Sequence, residues 1–362
     1  METKSQRKPS MDIIRCFAFF FVVSVHFFLH NGFYDRTIDG PRMYIMTVMR
    51  SFFMICVPLF IMLTGYLMSE KKLNRAYYGK LGYTISIYVL VSICCVLFKV
   101  FYQKQDISFY DFVRGFFNFT NAPYSWYLEM YIGLFLLCPF LNVLYGNLKT
   151  REEKQILLAT FLLLTALPYV ANIFVPKMDW IMNPTSSSDY FELLPNYWTG
   201  LYPITYYFLG CYLKENKLPI KTGSNVILLI VFAIINGSFN YYRSHNSLFV
   251  EGPWQQYGSL FTVIQTVLFF TLFDNLDYNN FPKMASCWLQ KISSLCFGGY
   301  LLSWIFDLLF YEILNEKVPT MPVRLNYYVL VVPCVFVCSL ALSYVIEQIY
   351  ALLRHYLGRE IR

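Results

Sequence analysis

Ten apolar runs, at 11–31, 47–69, 81–101, 124–146, 155–175, 197–213, 224–243, 256–275, 294–314 and 325–353, leave this chain few ways to fold. About 20 apolar residues span the ~30 Å hydrocarbon core as a helix. In lipid the backbone must satisfy its own polar groups, which a helix does within one segment. The expected fold is therefore all-α, a polytopic membrane helical bundle with about ten transmembrane helices. The run at 197–213 is the least regular, being short and carrying Gly200, Pro203 and Gly210. Composition points the same way, with 57% hydrophobic and only 14% charged residues, far from the balance of a soluble domain. The 31 Tyr and 35 Phe suit lipid-facing and interfacial positions.

A net charge of +7 in a soluble protein would point to nucleic acid. Here the basic residues sit in short loops between apolar runs, so nucleic acid is set aside and the charge is read as membrane orientation. The N-terminal tail, loops 70–80, 147–154, 214–223 and 276–293, and the C-terminal tail hold 18 Lys and Arg. The opposite loops, counting Arg243 at the edge of its run, hold 8, and Arg15, Arg50 and Lys99 lie within runs. By the positive-inside rule both termini are cytoplasmic.

The expected organisation is one membrane domain over 1–362, with cytoplasmic tails at 1–10 and 354–362. The basic leader before the first run invites comparison with a signal peptide. Asp12 and Arg15 inside the run, and no small-residue cleavage site, favour a retained helix. The ten cysteines form no CxxC pair or Cys/His cluster, so they read as small buried hydrophobes, and no metal is expected. The long outer segment 176–196 is turn-rich and reads as a lid or simply a loop.

The first run carries the chemistry. Asp12, Arg15, His26 and His30 fall within roughly 60° of one another on a helix wheel. Arg15 and His26 are about 16 Å apart along the axis, near half the hydrocarbon thickness. Charged and ionisable groups on one face at membrane depth are costly unless that face meets protein or water, and by default they mark a site. Each residue also has a plainer reading. His26 could be a core histidine bonded to a carbonyl, Arg15 a snorkelling anchor, and Asp12 its cap and partner. Arg50 begins the second run near the outer surface, and Trp126 and Glu129 lie in the outer half of the fourth. A polar path could run from Arg15 through His26 toward Arg50 and Glu129. Asp307, mid-way along the ninth run, reads as a structural hydrogen-bonding residue.

At these positions the chain resembles the acyltransferase 3 family of integral-membrane acyltransferases. Asp12-Ile13-Ile14-Arg15 and His26 match its first helix, an Arg or Lys followed ten intervening residues later by His. Val57-Pro58-Leu59-Phe60 with Thr64-Gly65-Tyr66-Leu67 is similar to its second helix, and Ser125-Trp126-Tyr127-Leu128-Glu129 with Leu137-Cys138-Pro139-Phe140-Leu141 to its fourth. Tyr206-Tyr207-Phe208-Leu209-Gly210 and Phe297-Gly298-Gly299-Tyr300-Leu301 resemble later helices. The family's Arg-x-x-Arg at the third helix reads Lys80-Leu81-Gly82-Tyr83 here, with one charge kept. Its late His is replaced by Ser303-Trp304.

The resemblance implies transfer of an acyl group, usually acetyl, from cytoplasmic acyl-CoA to a sugar hydroxyl of a cell-surface glycan or lipid-linked precursor. The setting it implies is the plasma membrane, most naturally of a bacterium. Arg15, Lys80 and Arg75 would hold the CoA phosphates. His26 would act as general base or transient acyl carrier, with Asp12 orienting Arg15. Arg50 would stabilise the oxyanion or hold the acceptor, with Glu129 on the same polar path. Trp126 and Tyr127 would stack on sugar rings. Partners beyond donor, acceptor and bilayer would be a second copy or glycan-assembly machinery. The competing readings are an exporter or transporter of polysaccharide or lipid-linked sugar, and a membrane scaffold in a glycan-assembly complex.

Overall fold

The structure is a computed structural model, described here over residues 8–172, 192–244 and 246–360. Most of the expected outer segment 176–196 lies outside the described residues. Those residues form helices and connecting turns, with nine helices or helix pairs long and apolar enough to cross a membrane.

The first, α1 (Pro9–His30), opens with Pro9 at its first turn and ends where Gly32 takes a left-handed φ of +80°, a conformation that favours glycine. The second span is two helices, α2 (Gly40–Phe53) and α3 (Cys56–Met68). The break between them follows from Pro58, whose ring would collide with the carbonyl four residues back at Met54. This span begins earlier than the apolar run at 47–69, because Pro41 and Arg42 start the helix in polar sequence.

A short helix, α4 (Arg75–Gly79), is capped by the Asn74 side chain, which accepts from the Tyr77 amide at 2.8 Å. It leads into α5 (Leu81–Phe101). Next, α6 (Phe109–Phe117) exposes Phe109, Tyr110 and Phe117, as a helix lying in the headgroup layer does. Then come α7 (Trp126–Asn147) and α8 (Arg151–Thr165), the latter started by a Thr150/Glu153 capping box. The single turn α9 (Pro168–Ala171) follows.

The weak run at 197–213 appears as α10 (Tyr202–Glu215), only about 21 Å long. Its residues Thr205–Leu213 are all buried. It packs tightly on α3 because glycines meet there. A Cβ at Gly65 would strike the Tyr207 carbonyl, and one at Gly210 would strike the Met62 carbonyl. The remaining helices are α11 (Thr222–Ser244), α12 (Leu260–Asp274), α13 (Lys283–Lys317) and α14 (Tyr328–Glu360).

At the centre stands α1, packed against α2, α3, α12, α13 and α14. Side-chain bonds sort the loops into two ends. At one end Lys8 meets Tyr66 and Asp274, Lys214 meets Ser69 and Glu70, Lys154 meets Glu215, and Lys217 meets the Asp274 carbonyl. At the other, Asn315 bonds the His30 carbonyl, Arg324 the Asn31 carbonyl, and Arg50 bonds Gln255. The loops that share the larger basic count thus share one end, which is the alternation expected of the ten runs.

Candidate functional site

The stripe on α1 faces the bundle interior, with Arg15 and His30 each at a cavity. Near the Lys8 end, Arg15 Nη1 donates to Ser293 Oγ on α13 at 2.9 Å and lies 3.7 Å from Asp12. This guanidinium stands at the wall of a cavity of about 430 Å³. Lys71 and Ser293 share its polar side, Phe60, Leu63 and Leu67 give it an apolar wall, and Tyr127 and Tyr300 line it as well.

Eleven residues further along α1, His26 Nδ1 lies 2.9 Å from Asp307 Oδ2 on α13. The histidine side chain is 13% exposed and the aspartate fully buried. The same carboxylate oxygen accepts from the Tyr124 hydroxyl at 2.8 Å, and His30 Nε2 lies 2.7 Å from that hydroxyl. These three bonds fix the protons. With the Tyr124 proton given to Asp307, its oxygen can only accept from His30, so His30 carries its proton on Nε2. Because a carboxylate only accepts, His26 carries its proton on Nδ1. Among the described residues no hydrogen bond engages His26 Nε2, which keeps a lone pair for an incoming proton. The Tyr124 ring packs on the imidazole at 4.1 Å between centroids.

Beyond the dyad, at the Asn31 end, a second pocket of about 260 Å³ includes His30, Asp307, Tyr311 and Asn315 in its lining. Tyr127 and Tyr300 line the first cavity, and the Tyr300 hydroxyl donates to the Tyr124 carbonyl. Tyr124 thus bonds one residue of each lining, Tyr300 in the first cavity and Asp307 in the second, and His26 packs against it without lining either.

The other expected site residues fall in different places. Arg75 begins α4 and Lys80 closes it, both exposed at the Arg15 end but outside the cavity lining, where Lys71 stands instead. Arg50 is buried, donating to Tyr34 at 3.0 Å and Gln255 at 2.5 Å with Phe249 against its guanidinium. It fastens α2 to the turn before α12 and reaches neither cavity. Trp126 is 43% exposed and stacks on Tyr257, Glu129 is exposed, and Tyr127 lines the first cavity. The polar path thus turns from His26 to Asp307, Tyr124 and His30 rather than to Arg50 and Glu129. Asp307 carried a signal, as a carboxylate deep in an apolar run. Tyr300 stood in a segment that carries the resemblance, with no role attached, and Tyr124, Lys71 and Ser293 carried no signal beyond composition.

The described residues thus form a helical bundle long and apolar enough to cross a membrane, with a buried His–Asp pair inside it. The chain belongs to the acyltransferase 3 family, whose acyltransferase domain matches residues 8–348, nearly its whole length. No curated protein and no solved structure gives a significant match.

Proposed function

We propose that this membrane acyltransferase moves an acetyl group from cytoplasmic acetyl-CoA to a hydroxyl of a sugar in a cell-surface polysaccharide or its lipid-linked precursor, in a bacterial plasma membrane. The observation that carries the reading is His26, with Nδ1 held by buried Asp307, Nε2 free of a hydrogen bond among the described residues, and its ring against Tyr124, which bonds one residue of each cavity.

On the donor side, Arg15 and Lys71 offer cations to the CoA phosphates, and Asp12 keeps Arg15 in place. Arg75 and Lys80 add positive potential at the mouth. Phe60, Leu63 and Leu67 suit a slender arm that carries few polar groups. At the dyad, His26 Nε2 accepts the acceptor hydroxyl's proton as that oxygen bonds to the thioester carbonyl carbon. The carbon–sulfur bond then breaks, and the imidazolium returns the proton to the departing sulfur. Asp307 holds the productive tautomer and stabilises the imidazolium, as the acid does in a Ser-His-Asp triad. Trp126, open at the far end, remains a surface for a sugar ring.

The test is protein in nanodiscs supplied with radiolabelled acetyl-CoA and a sugar acceptor. Transfer of label by the wild type, lost in His26→Ala, is the expected result. Undiminished transfer by folded His26→Ala overturns the role of His26. Movement of glycan across the bilayer with acetyl-CoA left intact supports the exporter instead.

A further inference from the structure

We infer that the pocket beyond the dyad is the acceptor subsite and that it takes an uncharged, hydroxyl-rich sugar ring rather than a uronic, sialic or phosphorylated one. The inference rests on the acyltransferase reading above and adds the class of acceptor.

Three residues that line this pocket each keep a buried side-chain oxygen with no hydrogen-bond partner, namely Asp307 Oδ1, the Tyr311 hydroxyl and Asn315 Oδ1. Buried polar atoms are normally satisfied, and one left unpaired costs roughly 1–3 kcal/mol. Their chemistry is selective. Asp307 Oδ1 accepts only. Asn315 is oriented by its Nδ2, which donates to the His30 carbonyl at 2.8 Å, so the atom it leaves free is the accepting oxygen. Tyr311 can do either, and its ring stacks on His30. Glu312 adds a second carboxylate at the rim, where it accepts from Tyr102 at 3.2 Å. A ligand that meets these groups must bring hydroxyl donors.

Negative charge on that ligand would meet no compensation. No Lys or Arg lines the pocket. Of the basic groups near it, Arg324 and Lys99 are committed elsewhere, while Lys104 and Lys317 are exposed and outside its lining. Arg324 spends its guanidinium on the carbonyls of Val318, Asn31, Asn315 and Pro319. Lys99 bonds the carbonyls of Thr120 and Asn121 and lies over Trp304. His30 gives its Nε2 proton to Tyr124. A carboxylate or phosphate on the ring would face Asp307 and Glu312 across a partly desolvated space, a juxtaposition that costs several kcal/mol. Size fits one ring as well. At about 260 Å³ the pocket is just below the ~300–1,000 Å³ of sites for larger ligands, so the rest of a glycan or its lipid would lie outside. Asp307 gives the subsite its link to chemistry, since one of its oxygens holds His26 and the other is left without a partner beside the pocket.

The experiment uses the full chain in nanodiscs with labelled acetyl-CoA and two synthetic acceptors on the same alkyl aglycone, a neutral hexoside and the matching hexuronide. The neutral hexoside is expected to be favoured on the order of 100-fold in kcat/KM. Asn315→Ala and Tyr311→Phe each raise its KM by about tenfold while the Kd for CoA stays unchanged, and Glu312→Arg narrows the gap between the acceptors. Equal use of both acceptors, or preference for the hexuronide, overturns the inference and leaves the acyltransferase reading standing. No transfer to either acceptor, with CoA unbound, overturns the parent reading. Transfer with an unchanged KM in folded Asn315→Ala and Tyr311→Phe moves the acceptor out of this pocket.

Discussion

Asp307→Asn separates the charge of the dyad from its geometry. An Asn at this position can place its amide oxygen where Oδ2 now sits and keep the bonds from His26 Nδ1 and Tyr124, because the other carboxylate oxygen has no partner to lose. The histidine tautomer therefore survives, the negative charge goes, and an amide NH2 replaces the unpaired Oδ1, a change that a kcat measured at saturating acceptor separates from the charge effect. The 2.9 Å contact puts the charge centres of imidazolium and carboxylate about 4 Å apart, worth about 4 kcal/mol at an effective dielectric near 20. If the transition state holds half to all of that imidazolium charge, the barrier rises by about 2–4 kcal/mol and kcat falls roughly 30- to 1,000-fold. That lies within the ~10²–10⁴ range of general-base catalysis. The assay is single-turnover acetyl transfer in nanodiscs, with thermal unfolding and the Kd for CoA as controls. A folded Asp307→Asn protein that binds CoA and keeps kcat within threefold of wild type refutes the role given to the carboxylate.

Three further outcomes are expected. Lys71→Ala weakens CoA binding about 10- to 100-fold by loss of a charge-assisted contact, whereas Lys80→Ala, outside the cavity lining, weakens it less than threefold, as isothermal titration would read. Gly65→Ala forces a methyl into the Tyr207 carbonyl across the α3–α10 contact and destabilises the protein by about 1–3 kcal/mol, a drop visible in Tm and absent from Gly79→Ala, where a Cβ meets nothing within 4 Å. Tyr300→Trp fills the inner end of the 430 Å³ cavity and lowers kcat for acetyl transfer at least roughly tenfold with the Kd for CoA within threefold of wild type.

Spans and their alternation were legible because hydropathy reads the lipid directly. The first helix's stripe was legible because burying charge at membrane depth is expensive enough to stand out in a single sequence. Partners across the bundle were not. Asp307 is 281 residues from His26, and nothing in either run says which helices are neighbours. Tyr124 is one of 31 tyrosines, distinguished only by where its hydroxyl points. Arg50 shows the converse error, since depth placed it near His30 while packing spent it on Tyr34 and Gln255. The α2–α3 break, by contrast, was written in Pro58, but hydropathy alone joins the two helices into one run.

Where the charges lie explains why the histidine sits mid-span. On the proposed reading the donor is an anion several charges strong, and carrying phosphates into the low-dielectric interior would cost several kcal/mol per charge. Arg15 and Lys71 stand at the end where those charges can stay close to water. On the same reading the pocket lined by Asp307, Glu312 and Asn315 would hold hydroxyls and repel anions. Only the acyl group, which is neutral, needs to pass between them. A base near the bundle's middle, about 16 Å along α1 from Arg15, is then reachable from one side by an uncharged arm and from the other by an uncharged ring. Its conjugate acid is stabilised there by a single buried carboxylate, so neither substrate has to carry its charge across.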